Sequence, residues 1–221
     1  MKLYAHRGSH RGAVENTLEA FSLAVAEGAD GVELDVRGTR DGQVVVFHDD
    51  DLARLASDRR EVAALDQRDL PSVGGAPIPT LDEALDLVLA AGLEVNVEVK
   101  GAPEQTAAVL ARRGERDRGM IIVSSFLAEA LDVVRARLPS VRLALLVDRL
   151  GPVVPLTYGG LHPHHELCTA ERVERWRSQG LFVNAWTVND PGRGSALAAM
   201  GLDGLVTDHI PALRETCTRV P

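Results

Sequence analysis

Cysteine is scarce. Cys168 and Cys217 are the only two in 221 residues, which excludes a cysteine-rich metal site and allows at most one disulfide. Both read as reduced thiols. Basic runs are missing too: the net charge is −8, which argues against a nucleic-acid backbone as partner. A small anionic ligand stays open, since a few local cations suffice for one. No apolar run is long enough to cross a membrane. Met1-Lys2-Leu3-Tyr4 passes at once into Ala5-His6-Arg7-Gly8 without the pattern of a secretory leader, so a cytoplasmic location is expected. There is no glycine-rich phosphate loop of the GxGxxG or GxxxxGK type. Ser124-Ser125 lacks the Gly-x-Ser-x-Gly frame of an esterase elbow.

What the chain does have is a repeated unit. AVAEGADGVELDV, VLAAGLEVNVEV, RSQGLFVNAW and LAAMGLDGLVTD each join a helix tail to a β-rich run through a glycine: Gly28, Gly92, Gly180 and Gly201. Eight strands are predicted, at 3–7, 31–36, 94–99, 120–125, 141–147, 159–163, 181–186 and 204–208. Helices are predicted at 17–27, 80–91, 103–113, 127–138, 169–179 and 193–200. Asn16-Thr17-Leu18-Glu19 and Thr80-Leu81-Asp82-Glu83 match a capping box, and Asp190-Pro191 places a cap before a first-turn proline. The connection 151–158 is too short for a full helix. Asp41-Gly42 signals a hairpin that returns as a strand at 44–48. Alternating β and α units, eight times over, imply a (β/α)8 TIM barrel of one domain spanning 1–221, with 49–79 as a short cap-like insertion. A doubly wound open sheet is the alternative, and no phosphate loop supports it.

Within EVNVEVK, Val95, Val97 and Val99 share one face of a strand, and Glu94, Asn96, Glu98 and Lys100 share the other. VELDV repeats the pattern with Glu33 and Asp35 opposite Val32, Leu34 and Val36. Helices cover the outside of a parallel barrel, so the valines belong there and the carboxylates point inward. Glu33, Asp35 and Glu98 together would raise one another's pKa values or demand a cation. Two readings stand open. One is an oxygen-ligand site for a hard divalent ion, Mg²⁺ or Ca²⁺; the other is an internal salt-bridge network with Arg7 and Lys100. His6 closes the first strand and His48-Asp49 the hairpin return, while Trp186 and Thr207-Asp208 end the seventh and eighth strands. Two histidines beside a metal and two cations suit attack on a phosphate ester.

In AHRG, VENTLEAF, GVELDVRGTRDGQVVVFHD, IPTLDEAL, NVEVKG, VNAWTVND and GLDGLVTD, the chain resembles the glycerophosphodiester phosphodiesterase family almost end to end. The resemblance implies a metal-dependent hydrolase that releases glycerol 3-phosphate and an alcohol from a small-molecule glycerophosphodiester. By it, Glu33, Asp35 and Glu98 hold the divalent ion, and His6 and His48 are the acid–base pair. Arg7 and Lys100 contact the phosphate, and Trp186 packs against the rest of the substrate. Asn16 and Glu15 fall in the family's ENT motif, with Asn16 also reading as the cap of the first helix. Val14 stands where the family usually has proline, and Arg54-Leu55-Ala56 replaces its RTT-like run, which bears on substrate preference. His162 is expected at the rim, in reach of substrate, with His164 and His165 as solvated loop positions and His10 and Arg11 exposed. The rival functions are a lysophospholipase D-type diesterase, whose sign would be an apolar rim, and a non-catalytic barrel that binds phosphorylated ligands.

Overall fold

The strands close on themselves, so that one face of each points into the barrel and the other toward the helices. The computed structural model describes residues 1–149 and 156–217. The described strands are β1 (Lys2–His6), β2 (Gly31–Gly38), β3 (Val44–Val46), β4 (Glu94–Val99), β5 (Ile121–Ser125), β6 (Arg142–Val147), β7 (Gly159–Pro163), β8 (Phe182–Ala185) and β9 (Gly204–Thr207). Eight of them, all but β3, pair in parallel, and β1 bonds to both β2 and β9, which closes the barrel. β3 pairs antiparallel with β2, as the Asp41-Gly42 turn foretells.

Around the barrel lie α1 (Leu18–Ala26), α2 (Ala53–Ala56), α3 (Leu81–Ala90), α4 (Pro103–Ala111), α5 (Glu115–Gly119), α6 (Ala128–Arg137), α7 (Ala170–Ser178), α8 (Pro191–Ala199) and α9 (Ile210–Cys217). The outward valines of β2 and β4 join Phe21, Leu81, Leu85 and Val88 in the main core, which accounts for their near-complete burial. Gly28, Gly92, Gly180 and Gly201 all have φ between +75° and +82°, the left-handed residue that lets each helix stop and the next strand begin. Thr80 and Glu83 form the expected capping box on α3, and the Asp190 side chain caps α8 ahead of Pro191. On α1 the cap is Thr17, whose hydroxyl accepts from the Ala20 N–H at 3.2 Å; Asn16 does not cap it. α2, α5 and α9 were not foreseen, lying in the insertion 49–79, in a charged segment and beyond the last strand. Of the connection 151–158, residues 151–155 lie outside the described residues and Leu156–Tyr158 form a 3₁₀ turn. Cys168 is a buried free thiol, pushed up to about 11 by burial; the side chain of Cys217 lies outside the described residues.

Register decides which carboxylates meet. β2 and β4 align Glu33 with Asn96 and Asp35 with Glu98, so two acids sit side by side and the third lies one layer beneath. Glu94, on the same face of β4, is engaged at the other end of the barrel: it accepts from the Tyr4 hydroxyl at 2.5 Å and from Arg142 at 2.8 Å, and pairs with Lys2 at 2.8 Å. Residues 49–79 contribute Leu52, Val62, Leu65, Val73 and Ile78 to a small core of their own, built on Val45 and Phe47 of the hairpin. Val14 packs onto that cluster. A Cβ on Gly74 would come within 2.3 Å of its Cγ2, so the residue standing for the family's proline fits a glycine-lined seat.

Candidate active site

The first strand ends in a forced turn. Arg7 and Gly8 are both left-handed, at φ +57° and +79°, and a Cβ on Gly8 would lie 2.7 Å from the Ala20 backbone of α1. Only glycine fits there, and the turn folds Arg7 back over the barrel mouth. The Arg7 N–H donates to Glu33 Oε2 at 3.2 Å, its Nη1 donates to Glu15 Oε1 at 2.9 Å, and its Nε lies 3.3 Å from Asp35 Oδ2. Asn16, also left-handed at φ +58°, grips Asp35 from two directions. Its Nδ2 donates to Asp35 Oδ2 at 2.8 Å, and its Oδ1 accepts from the Asp35 backbone N–H at 3.3 Å. Left-handed non-glycine residues store strain that the surroundings must hold. Both of these face the same carboxylate.

Glu33, Asp35 and Glu98 bring oxygens within 4.8 Å of one another, close enough to ligate one ion. Asp35 is 1% exposed. Lys100 Nζ donates to Glu98 Oε1 at 2.6 Å and stands 3.3 Å from Asp35 Oδ1. Burial, then repulsion from Asp35 and Glu98, holds the Glu33 carboxyl well above its ordinary range; burial and Asp35 raise Glu98. Burial opposes the charge on Lys100, yet Asp35 and Glu98 outweigh it and its pKa ends raised. Three carboxylates thus meet two cations, one of which also serves Glu15. The donor set is all oxygen and carries surplus negative charge, which fits a hard divalent ion.

Both histidines are oriented by a carboxylate. His6 Nδ1 lies 2.7 Å from Asp208 Oδ1, and His48 Nδ1 lies 2.6 Å from Asp49 Oδ1. An Nδ1–H given to a carboxylate leaves Nε2 free to accept or deliver a proton. Asp208 also takes His10 Nε2 at 3.0 Å and Asn189 Nδ2 at 2.6 Å. His10 is therefore half-buried in the network, where exposure was expected, and the hydrogen bond to Asp208 raises its pKa. Burial pushes His48 down. His6, Arg7, His48, Lys100, Phe126 and Trp186 line one cavity of about 140 Å³. The Trp186 ring packs edge-on to Phe126 and His164, with centroids 5.4 and 5.2 Å away. His162 is not at the rim. It is 1% exposed, inside the barrel, and lines the same cavity.

Sequence reading left Asp49, Asp208 and Arg54 without roles, although HD and TD stand at strand ends where such carboxylates are useful. Arg54 ties two parts of the site together: Nε donates to Asp49 Oδ2 at 2.7 Å, and Nη2 donates to Glu15 Oε1 at 2.6 Å. Burial works against ionised Glu15, but Arg54 and Arg7 outweigh it and hold the carboxyl down at about 2. A depressed carboxyl stabilises the fold above the ordinary glutamate range, and that contribution is lost as pH falls toward 2. Arg54→Ala should therefore shift acid unfolding, followed by circular dichroism, to higher pH, and Arg54→Lys should restore part of the difference. An unchanged acid midpoint would mean that this partly exposed pair adds nothing.

The glycerophosphoryl diester phosphodiesterase family model matches residues 6–212. A glycerophosphodiester phosphodiesterase from Caldanaerobacter subterraneus subsp. tengcongensis is 30% identical, with 92% of each chain covered. A human lysophospholipase D is 26% identical over 97% of this chain and 84% of its own. Among solved structures, an Oleispira antarctica phosphodiesterase in complex with the product sn-glycerol 3-phosphate superposes with a TM-score of 0.90 at 28% identity, covering 99% of this chain and 97% of that one. With the closed barrel and the acid-lined mouth in place, these matches settle the family: the chain belongs to the glycerophosphoryl diester phosphodiesterase enzymes.

Proposed function

We propose that this protein hydrolyses glycerophosphodiesters to glycerol 3-phosphate and the freed alcohol, using a divalent ion, Mg²⁺ or Ca²⁺, with His6 and His48 as the acid–base pair. The observation that carries this reading is two histidines, each held by its own carboxylate, lining one cavity with Glu33, Glu98, Arg7 and Lys100. Glu33, Asp35 and Glu98 would hold the ion. When bound, it supplies Lewis-acid polarisation of a phosphoryl oxygen.

The chain's own residues do the rest. Arg7 and Lys100 offset charge that builds on the phosphate in the transition state. Asn16 keeps Asp35 from turning away. Burial favours the neutral form of His48, which suits it to take the proton of the attacking water. His6 holds its proton on the Asp208 side and delivers one from Nε2 to the departing alkoxide. Trp186 offers an apolar face to the alcohol half. Glycerophosphocholine with added Mg²⁺ or Ca²⁺ is the test: release of glycerol 3-phosphate is expected, and hydrolysis of bis(p-nitrophenyl) phosphate without any glycerophosphodiester would reduce the assignment to a generic phosphodiesterase.

One observation favours a second substrate class. Phe126, which packs against Trp186, and Leu127, next to it in sequence, are 42% and 46% exposed, an apolar rim of the kind a lysophospholipid chain would use. If they receive such a chain, Phe126→Ala with Leu127→Ser should lower kcat/KM on lysophosphatidylcholine about tenfold or more and leave glycerophosphocholine nearly unchanged. Equal effects on both substrates would remove this reading.

A further inference from the structure

Beside the carboxylates, on the wall of the same cavity, two buried polar atoms have no partner in the protein. They are Asn96 Oδ1 on β4 and His162 Nδ1 on β7. Their residues are 2% and 1% exposed, and both line the cavity that also holds the two oriented histidines. Such atoms are rare in folded proteins and call for an occupant.

Their chemistry says what kind. Asn184 Nδ2 donates to His162 Nε2 at 3.1 Å, so the ring proton of neutral His162 must sit on Nδ1. Burial keeps the imidazole neutral by pushing it down to about 3. The bond from Asn184 holds the ring in this orientation, and Phe182 packs edge-on to it at 6.0 Å. His162 Nδ1–H is thus a fixed donor without an acceptor, and Asn96 Oδ1 an acceptor without a donor. Leu146 and Val206 make the adjoining wall apolar.

A donor and an acceptor on one small cavity match a group that both accepts and donates. We propose that Asn96 and His162 form a hydroxyl-binding subsite that takes a glycerol hydroxyl of the substrate, selecting the glycerol phosphate half from the inside of the barrel. The proposal rests on the glycerophosphodiester reading and adds to it where specificity resides. Neither residue is a proton carrier here; each acts by hydrogen bonding to the part of the substrate that does not react.

Calorimetric titration of the metal-loaded protein with sn-glycerol 3-phosphate and, separately, inorganic phosphate tests it. Wild type should bind glycerol 3-phosphate at least tenfold more tightly than phosphate. Asn96→Leu and His162→Phe, close in size to the native side chains, should each lose most of that preference while binding phosphate as before. His162→Gln, which keeps an N–H donor, should recover part of it, a rescue that a purely structural role would not give. Circular dichroism checks that each variant is folded, and Asn96→Ser replaces Asn96→Leu if that one is not. A preference that persists in both single variants, or is missing in wild type, overturns the proposal and leaves these atoms to internal water. Hydrolysis of glycerophosphocholine, measured in parallel, separates the two readings. Turnover without the binding preference defeats only the subsite, and preference without turnover defeats only the proposed reaction.

Discussion

Chelation of divalent ions should take turnover of glycerophosphocholine to background, and added Mg²⁺ or Ca²⁺ should restore it. The reason lies in a local excess of charge. Glu33, Asp35 and Glu98 converge within 4.8 Å, and the cations facing them are Arg7 and Lys100, the former also bound to Glu15. Buried like charges that lack full compensation are costly, and Glu33 and Glu98 show it in their raised pKa values. An ion offsets that cost, so it should also raise the melting temperature, increasingly as the free ion concentration exceeds its Kd. Glu98→Gln should weaken ion binding and lower activity at limiting metal, with recovery as metal is raised. Full activity in thoroughly stripped protein would instead support the self-contained salt-bridge network.

His6→Ala and His48→Ala should each cost on the order of 10²–10⁴-fold in kcat, the usual contribution of a general acid or base. If both serve one step, the double variant should be little worse than the poorer single one. The two differ in their pH signature. Activity should rise with pH through the ionisation of His48, which burial places below the ordinary histidine range, so the acid limb of the kcat/KM profile should lie low and flatten in His48→Ala. Asp208→Asn and Asp49→Asn keep the shape of the orienting partner but reverse its hydrogen-bond preference. They should lower kcat more than they raise KM. Near wild-type turnover in a folded single histidine variant would end the pairing.

Much of this molecule is written locally. The glycine after four of the helices, the capping box at Thr80 and the Asp-Gly hairpin depend on residues a few positions apart, so the barrel's order of elements was readable. So was the inward face of β2 and β4, because period-two alternation needs no knowledge of the partner strand. Asn16 was misread as a cap because Asn and Thr both suit that role; only the turn at Arg7 and Gly8 reveals that Thr17 takes it and Asn16 turns to Asp35. His162 was expected at a rim because GLHP ends a strand, yet burial depends on how deep β7 sits beside β8. Asp208 reaches His6 across 202 positions, and Arg54 reaches Glu15 across 39. Such pairings follow from barrel closure and from the path of residues 49–79, neither of which any short window contains.

The separate small core beneath residues 49–79 makes the molecule two-tiered in its response to heat. Phe47 is anchored in that cluster, while Val44 and Val46 of the same hairpin belong to the main core. His48 follows Phe47 directly, so its position depends on the smaller tier. Small clusters open at lower free energy than a closed barrel, and amide exchange reports such units one by one. The backbone from Phe47 to Ile78 is therefore the region to exchange first, carrying His48 and Asp49 away from His6 while β1, β4 and β9 stay protected. Inactivation on warming then becomes a reversible loosening of one flank, complete before the barrel itself begins to melt.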